Sequence, residues 1–174
     1  MPGWTIEQWA LFVAGGSLFW NLLNSLFTLR VDHQNKRRDV VLDEFRTTVR
    51  DPIYTAINGL DTFITDVRNA PAISADAIQL RDRLAPLNPL IISQLGQVSD
   101  ALADANESHF ADGQDWLEGF EKLEDEILNL FDRALNPTLS ADDLRIVVSL
   151  IPDRMRTLRT EVRTRLERQI QKLT

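Results

Sequence analysis

The segment "VVLDEFRTTVRDPIYTAINGLDTFITDV", residues 40–67, decides the fold of this chain. Its large apolar side chains recur at helical spacing, which predicts one continuous buried helix face. The face consists of Val41, Phe45, Val49, Ile53, Ile57, Leu60, Ile64 and Val67. Pro52 interrupts the backbone in the middle of this face, and Asp51 before it is a candidate N-cap, so we expect either a kink or a break there.

Beyond this segment, apolar side chains recur at helical spacing in pieces that are separated by turn-forming residues. "NAPAISADA", residues 69–77, predicts a turn with Ser74 as the next N-cap. Pro86 and Pro89 divide the helix that follows into two pieces. "ESHFADGQD", residues 107–115, predicts a further loop.

Two amphipathic helices are predicted in the remainder of the chain. One has an apolar face from Trp116 to Phe131, and the other begins at a cap formed by Ser140 and Asp143. The last helix carries a clean apolar stripe of Met155, Leu158, Val162, Leu166, Ile170 and Leu173. Because strand signals are nearly absent, we predict an all-α protein with an antiparallel bundle of about four helices.

On the N-terminal side, residues 8–29 form a run of 22 residues without a charged side chain. A helix of that length is about 33 Å long, enough for a hydrocarbon core of ~30 Å. A cleaved signal peptide is disfavoured because no basic residue precedes the run and no small-residue cleavage site follows it. The alternative is a buried helix of a soluble bundle. We predict a single transmembrane anchor in residues 1–30, with the span at about 8–29, continuing into a helical domain over residues 31–174.

A basic flank follows the uncharged run and predicts its orientation. It consists of Arg30, Lys36, Arg37 and Arg38. Because basic residues gather on the cytoplasmic side of a membrane span, we expect the N-terminus outside and the C-terminal domain in the cytoplasm. Arginine greatly outnumbers lysine in the chain, which is compatible with a bacterial source and therefore with a bacterial inner membrane.

Small and polar side chains inside the uncharged run fall on one side of the predicted helix. This polar stripe consists of Ala14, Ser17, Asn21, Asn24 and Thr28. Its spacing of three and four residues is that of a helix pair, and such side chains form contacts between helices in lipid. The stripe predicts a contact with a second copy or with a membrane partner protein. The alternative is that the two asparagines are tolerated by bonding to their own backbone.

The final helix is rich in arginine on both sides of its apolar stripe. We predict an interaction helix carrying Arg156, Arg159, Arg163, Arg165 and Arg168. Three roles stay open for these residues. They are pairing with the acidic helix at residues 115–126, contact with anionic lipid headgroups, and docking of an acidic partner.

No pattern in the sequence indicates catalysis. The chain has no cysteine, and neither His33 nor His109 belongs to a metal-binding pattern. The acidic cluster of Glu118, Glu121, Glu124, Asp125 and Glu126 is typical of a solvated helix face. A net charge of −7 disfavours nucleic acid as a partner. We therefore expect no enzyme, no cofactor, no metal and no small-molecule substrate.

These expectations combine into a non-enzymatic function at the lipid bilayer. We expect a scaffold, adaptor, signalling or defence component that acts by forming a homo-oligomer or by binding a partner. The alternative is a membrane-perturbing or pore-forming effector that its cytoplasmic helical domain regulates.

Overall fold

The computed structural model describes the backbone of residues 6–174 and the side chains of residues 17–174. The described chain is all-α and contains no strand. Its helices are α1 (Ile6–Phe45), α2 (Asp51–Asn69), α3 (Ala77–Leu84), α4 (Leu87–Glu107), α5 (Phe120–Leu135) and α6 (Ala141–Leu173). A π-helical turn at Arg46–Arg50 joins α1 to α2, and a 3₁₀ turn at Ala70–Ile73 follows α2.

The chain divides into two compact units, Met1–Asp43 and Glu44–Thr174. The described part of the first unit is helical throughout. The second unit contains the hydrophobic core and begins one residue before Phe45, the first buried member of the predicted face. Val41 is 37% exposed and belongs to the first unit, so the buried face is shorter at its N-terminal end than predicted. The boundary predicted at residue 30, between membrane and cytoplasm, stays a prediction.

Four long helices of the second unit form the predicted antiparallel bundle. Residue contacts show the direction of each neighbour of α2. On α4, Gln94 donates a hydrogen bond to the Ala56 carbonyl of α2 at 2.8 Å. The Phe110 ring just beyond α4 packs edge-on against Phe45, which precedes α2, with centroids 5.3 Å apart. Residue numbers rise along α4 as they fall along α2, so the two helices are antiparallel.

The other helix pairs follow the same rule. Arg159 and Arg163 of α6 contact Asp61 and Asn58 of α2, which makes α6 antiparallel to α2. The Arg154 side chain of α6 lies 3.3 Å from Glu126 of α5, whereas Arg165 reaches back to the residues that precede α5. These pairings give an up-down bundle of α2, α4, α5 and α6, with the shorter α3 packed beside it.

The helix does not end at Pro52, and Asp51 is not an N-cap there. Asp51 itself has helical backbone angles, and its N–H donates to the Arg46 carbonyl five residues back. A proline has no N–H and crowds the carbonyl four residues before it, so the preceding turn widens to the π form instead of breaking. The prediction of Asp51 as an N-cap was therefore wrong, because the helix continues through this position.

The caps of the later helices were predicted with mixed success. Ser140 caps α6 as expected, since its hydroxyl accepts a hydrogen bond from the Asp143 N–H. Ser74 does not cap α3, because its hydroxyl donates to the Ala70 carbonyl at 2.7 Å. Asp76 takes that role and accepts from the Gln79 N–H at 2.8 Å. The division of the chain near Pro86 is confirmed by the break between α3 and α4.

Replacing Ser140 by Ala should lower the free energy of unfolding by ~0.5–2 kcal/mol, because the first turn of α6 loses its side-chain acceptor. Thr160→Ala is the matched control. Its exposed hydroxyl only back-bonds to Arg156 within α6, and alanine is the better helix former. Urea unfolding of both variants measures the difference. Equal losses in the two variants would contradict the capping role.

Candidate membrane and partner-binding surfaces

The described part of the uncharged run exposes almost all of its large apolar side chains. Leu18, Trp20 and Phe27 are 70%, 70% and 73% exposed. The remaining members are Phe19, Leu22, Leu23, Leu26 and Leu29. Large contiguous apolar patches on a protein surface mark contact with lipid or with another protein. This apolar helix surface is therefore a candidate interface.

The polar stripe lies on the same part of α1, and its described members Ser17, Asn21, Asn24 and Thr28 are exposed. The Ala14 side chain lies outside the described residues. Thr28 donates its hydroxyl to the Asn24 carbonyl one turn earlier on the same helix, at 2.8 Å. Asn21 and Asn24 form no side-chain hydrogen bond within the described chain. Their amide groups are therefore available to a partner helix.

In the part of the chain that the structure describes, no helix combines the length and the apolar character needed to cross a bilayer. The span over residues 8–29 thus gains no support from the structure and stays a prediction. The basic flank of Arg30, Lys36, Arg37 and Arg38 is helical and exposed, within α1.

The arginines of the interaction helix are mostly engaged within the second unit. Arg159 pairs with Asp61 of α2. Arg163 donates to the Asn58 side chain at 2.9 Å and lies over the Tyr54 ring, 5.6 Å from its centroid. A second guanidinium, that of Arg50, lies 5.1 Å from the same centroid. These contacts join α6 to α2, a neighbour that sequence reasoning did not identify.

Arg165 holds the loop before α5 through main-chain oxygens. Its guanidinium donates to the carbonyls of Asp115 at 2.8 Å, Trp116 at 3.2 Å and Glu118. The predicted pairing of α6 with carboxylates at residues 115–126 is limited to Arg154 and Glu126. Arg165 contacts residues of that region through carbonyl groups, which no sequence pattern reveals.

The last two arginines of the interaction helix differ in their surroundings. Arg156 forms an ion pair with Asp153 one turn earlier on α6, at 2.8 Å. Arg168 is exposed. Of the five predicted interaction residues, Arg168 is therefore the one whose exposed side chain best suits an external partner.

The acidic cluster on α5 is a surface feature. Partial burial raises the pKa of Glu124, and repulsion from Asp125 and Glu121 raises it further. Glu126 is paired with Arg154. Within the described residues, no group of three or more acidic or histidine side chains is arranged to hold a metal ion. His109 lies 4.0 Å from Glu44 with its side chain 65% exposed.

A compact hydrogen-bond network organises the loop between α4 and α5. The Asn106 amide donates to the Asp115 carboxylate at 3.0 Å, and its oxygen accepts from the Trp116 N–H at 2.6 Å. The Leu117 N–H also donates to Asp115, at 2.9 Å. The pKa of Asp115 is lowered below its ordinary value, first by the Asn106 hydrogen bond and then by that of Leu117.

Comparison with known proteins identifies no relative of this chain, since no family model, no curated protein and no solved structure matches it.

Asn106→Asp should raise the pKa of Asp115, because it removes the amide donor and adds a negative charge while keeping an oxygen for Trp116. A carboxylate whose pKa is lowered in the folded state stabilises the fold at pH values above its unfolded pKa of 3.8. That stabilisation is lost as the pH falls through the pKa of the folded state. The variant should therefore be less stable than the parent near neutral pH, with the difference shrinking in acid. Carboxyl ¹³C NMR titration measures the shift, and Asn129→Asp on the exposed face of α5 is the control. An unchanged Asp115 pKa in Asn106→Asp would refute the assignment.

Arg165→Gln should lower the free energy of unfolding by ~1–3 kcal/mol, because carbonyls of the loop before α5 lose a charged donor. Arg168→Gln, three residues along the same helix, should change it by less than ~0.5 kcal/mol because that side chain is exposed. Urea unfolding distinguishes the two. A comparable loss in both variants would show that arginine content alone, rather than the carbonyl contacts, stabilises α6.

Proposed function

We propose that this is a single-pass, membrane-anchored helical-bundle protein that acts without catalysis, by self-association or by binding a membrane partner. The observation that carries the proposal is the apolar helix surface between Leu18 and Leu29, directly followed by the basic flank that begins at Arg30. Burying each such side chain is worth about 1.5–3 kcal/mol. A surface of that kind favours a lipid environment, and a basic flank favours the cytoplasmic side.

The polar stripe supports association within the membrane. Asn21 and Asn24 carry uncharged groups that hydrogen-bond across helices in lipid, each at ~0.6–2 kcal/mol. Their exposure on α1 leaves these groups accessible to a second helix. The anchor would then bring copies or partners together, and the helical bundle on the cytoplasmic side would present its surface as a scaffold or adaptor.

The bundle itself supports a binding role over a catalytic one. Its core is apolar, and Gln169 is the one buried polar side chain within the described residues. The Gln169 amide donates to the Phe110 carbonyl, so this group holds a loop in place. Among the surface side chains, Arg154, Arg159 and Arg163 of α6 serve contacts between helices.

Fractionation of tagged full-length protein tests the anchor. We expect the protein to remain in the membrane pellet after carbonate extraction and to dissolve in mild detergent. Release by carbonate would refute the anchor. Sizing in detergent then tests association, for which we expect a dimer or a larger oligomer.

The double variant Asn21→Leu/Asn24→Leu tests the polar stripe. Because leucine favours lipid, this variant should stay in the membrane while its oligomer dissociates toward monomer. Leu22→Ala/Leu26→Ala, on the opposite side of the helix, is the matched control and should retain the oligomer. An oligomer that persists in Asn21→Leu/Asn24→Leu would contradict the role of the stripe.

The same variant separates the proposal from a membrane-perturbing effector. An effector whose polar stripe lines a leak path would collapse the membrane potential on expression, and Asn21→Leu/Asn24→Leu would abolish that collapse. We expect expression of the parent protein to leave the membrane potential intact, as a potential-sensitive dye would show.

A further inference from the structure

A groove between α2 and α6 combines an apolar floor with arginine side chains. Its volume is about 360 Å³, within the range of pockets that hold small molecules. Val67 and Pro71 line it from the α2 side, and Val148 and Pro152 line it from α6. All of these residues belong to the second unit, so the groove is a feature of the bundle and independent of the proposed anchor.

Three arginines line the groove against a single acid. They are Arg68 of α2 and Arg145 and Arg156 of α6, and the acid is Asp153. Asp153 already pairs with Arg156 at 2.8 Å. Arg68 and Arg145 form no ion pair with any carboxylate of the described chain, so the groove has an excess of two positive charges. This excess is unexpected in a chain whose net charge is −7.

We propose that the α2–α6 groove is a binding site for a phosphomonoester, with Arg68 and Arg145 donating to its phosphate. Arginine presents a planar fork of donors that matches phosphate oxygens, and two guanidiniums that form no ion pair within the described chain suit a doubly charged group. Pro71 and Ser149, the uncharged lining residues that are not buried, are left for the organic part of the ligand. Such a ligand would bind to the bundle, and its binding would regulate the assembly that we propose as the function.

Calorimetric titration of the full-length protein in an uncharged maltoside detergent tests the site. The probes are adenosine monophosphate and inorganic phosphate, with adenosine as the control that lacks the phosphate. We expect saturable binding of adenosine monophosphate with a Kd of ~1 mM or below, weaker binding of phosphate and none of adenosine. Binding of adenosine as tight as that of its monophosphate would overturn the proposal, as would no saturable binding of the monophosphate.

Arg68→Gln/Arg145→Gln should weaken the binding of adenosine monophosphate at least about tenfold, since two charge-assisted contacts are lost. Arg83→Gln/Arg133→Gln removes the same charge from exposed positions outside the groove and should leave binding unchanged. Equal weakening in both variants would assign the effect to net charge and overturn the site. Both substitutions are at exposed positions, and thermal unfolding checks that each variant is folded.

Short-chain phosphatidic acid in mixed micelles distinguishes a lipid headgroup from a soluble source of the phosphomonoester. If the lipid displaces adenosine monophosphate from the parent but has no effect on Arg68→Gln/Arg145→Gln, the headgroup is the natural source. Failure of the lipid to compete assigns the site to a soluble ligand. Either result supports the groove as a phosphate site, and neither depends on the outcome of the carbonate extraction.

Discussion

The fold depends on keeping one apolar face continuous across Pro52. From Phe45 to Ile57 the large buried side chains are spaced by four, and four residues of an α-helix advance about 40° beyond a full turn. A long run of such spacings would rotate the face away from the core. The π turn at Arg46–Arg50 has more residues per turn and corrects part of this drift. The same turn accommodates the proline ring. The π turn therefore relieves the steric conflict at Pro52 and keeps the apolar face directed at the core.

Charge is distributed over the bundle so that it sets the positions of helices more than their stability. Exposed ion pairs contribute ~0–1 kcal/mol each, so Arg154 with Glu126 and Arg156 with Asp153 stabilise the fold little. Arg165 differs, because its guanidinium donates to main-chain carbonyl oxygens of the residues that precede α5. The arginine-rich α6 therefore joins α2 on one side and the loop before α5 on the other.

Periodic apolar patterns were the part of the fold that sequence could predict. The stripe from Met155 to Leu173 and the face from Phe45 to Val67 are buried or partly buried as expected, because burial imposes a spacing that is visible in the chain. Caps were less predictable. The Ser140 cap is predictable from its residue type and its spacing to Asp143. Asp76 rather than Ser74 caps α3, because the 3₁₀ turn at Ala70–Ile73 shifts the start of α3 along the chain.

Contacts made by the candidate surfaces were less predictable than the helices, because these contacts leave no periodic pattern in the sequence. Arg165 donates to carbonyls that every residue possesses, so no side-chain pattern marks its partners. The groove between α2 and α6 likewise joins residues that are about 80 positions apart in the chain, such as Arg68 and Arg145. Only the packing of α6 along α2 brings their side chains into one groove.

The two units differ in how much of their apolar surface they bury. In the second unit, Ile53, Leu95 and Phe131 are fully buried, while a few side chains such as Ile78 and Ile146 are exposed. The helix from Leu18 to Leu29 exposes leucine and phenylalanine side chains on several sides. In the proposed anchor, lipid would surround this helix and the polar stripe would face one neighbouring helix.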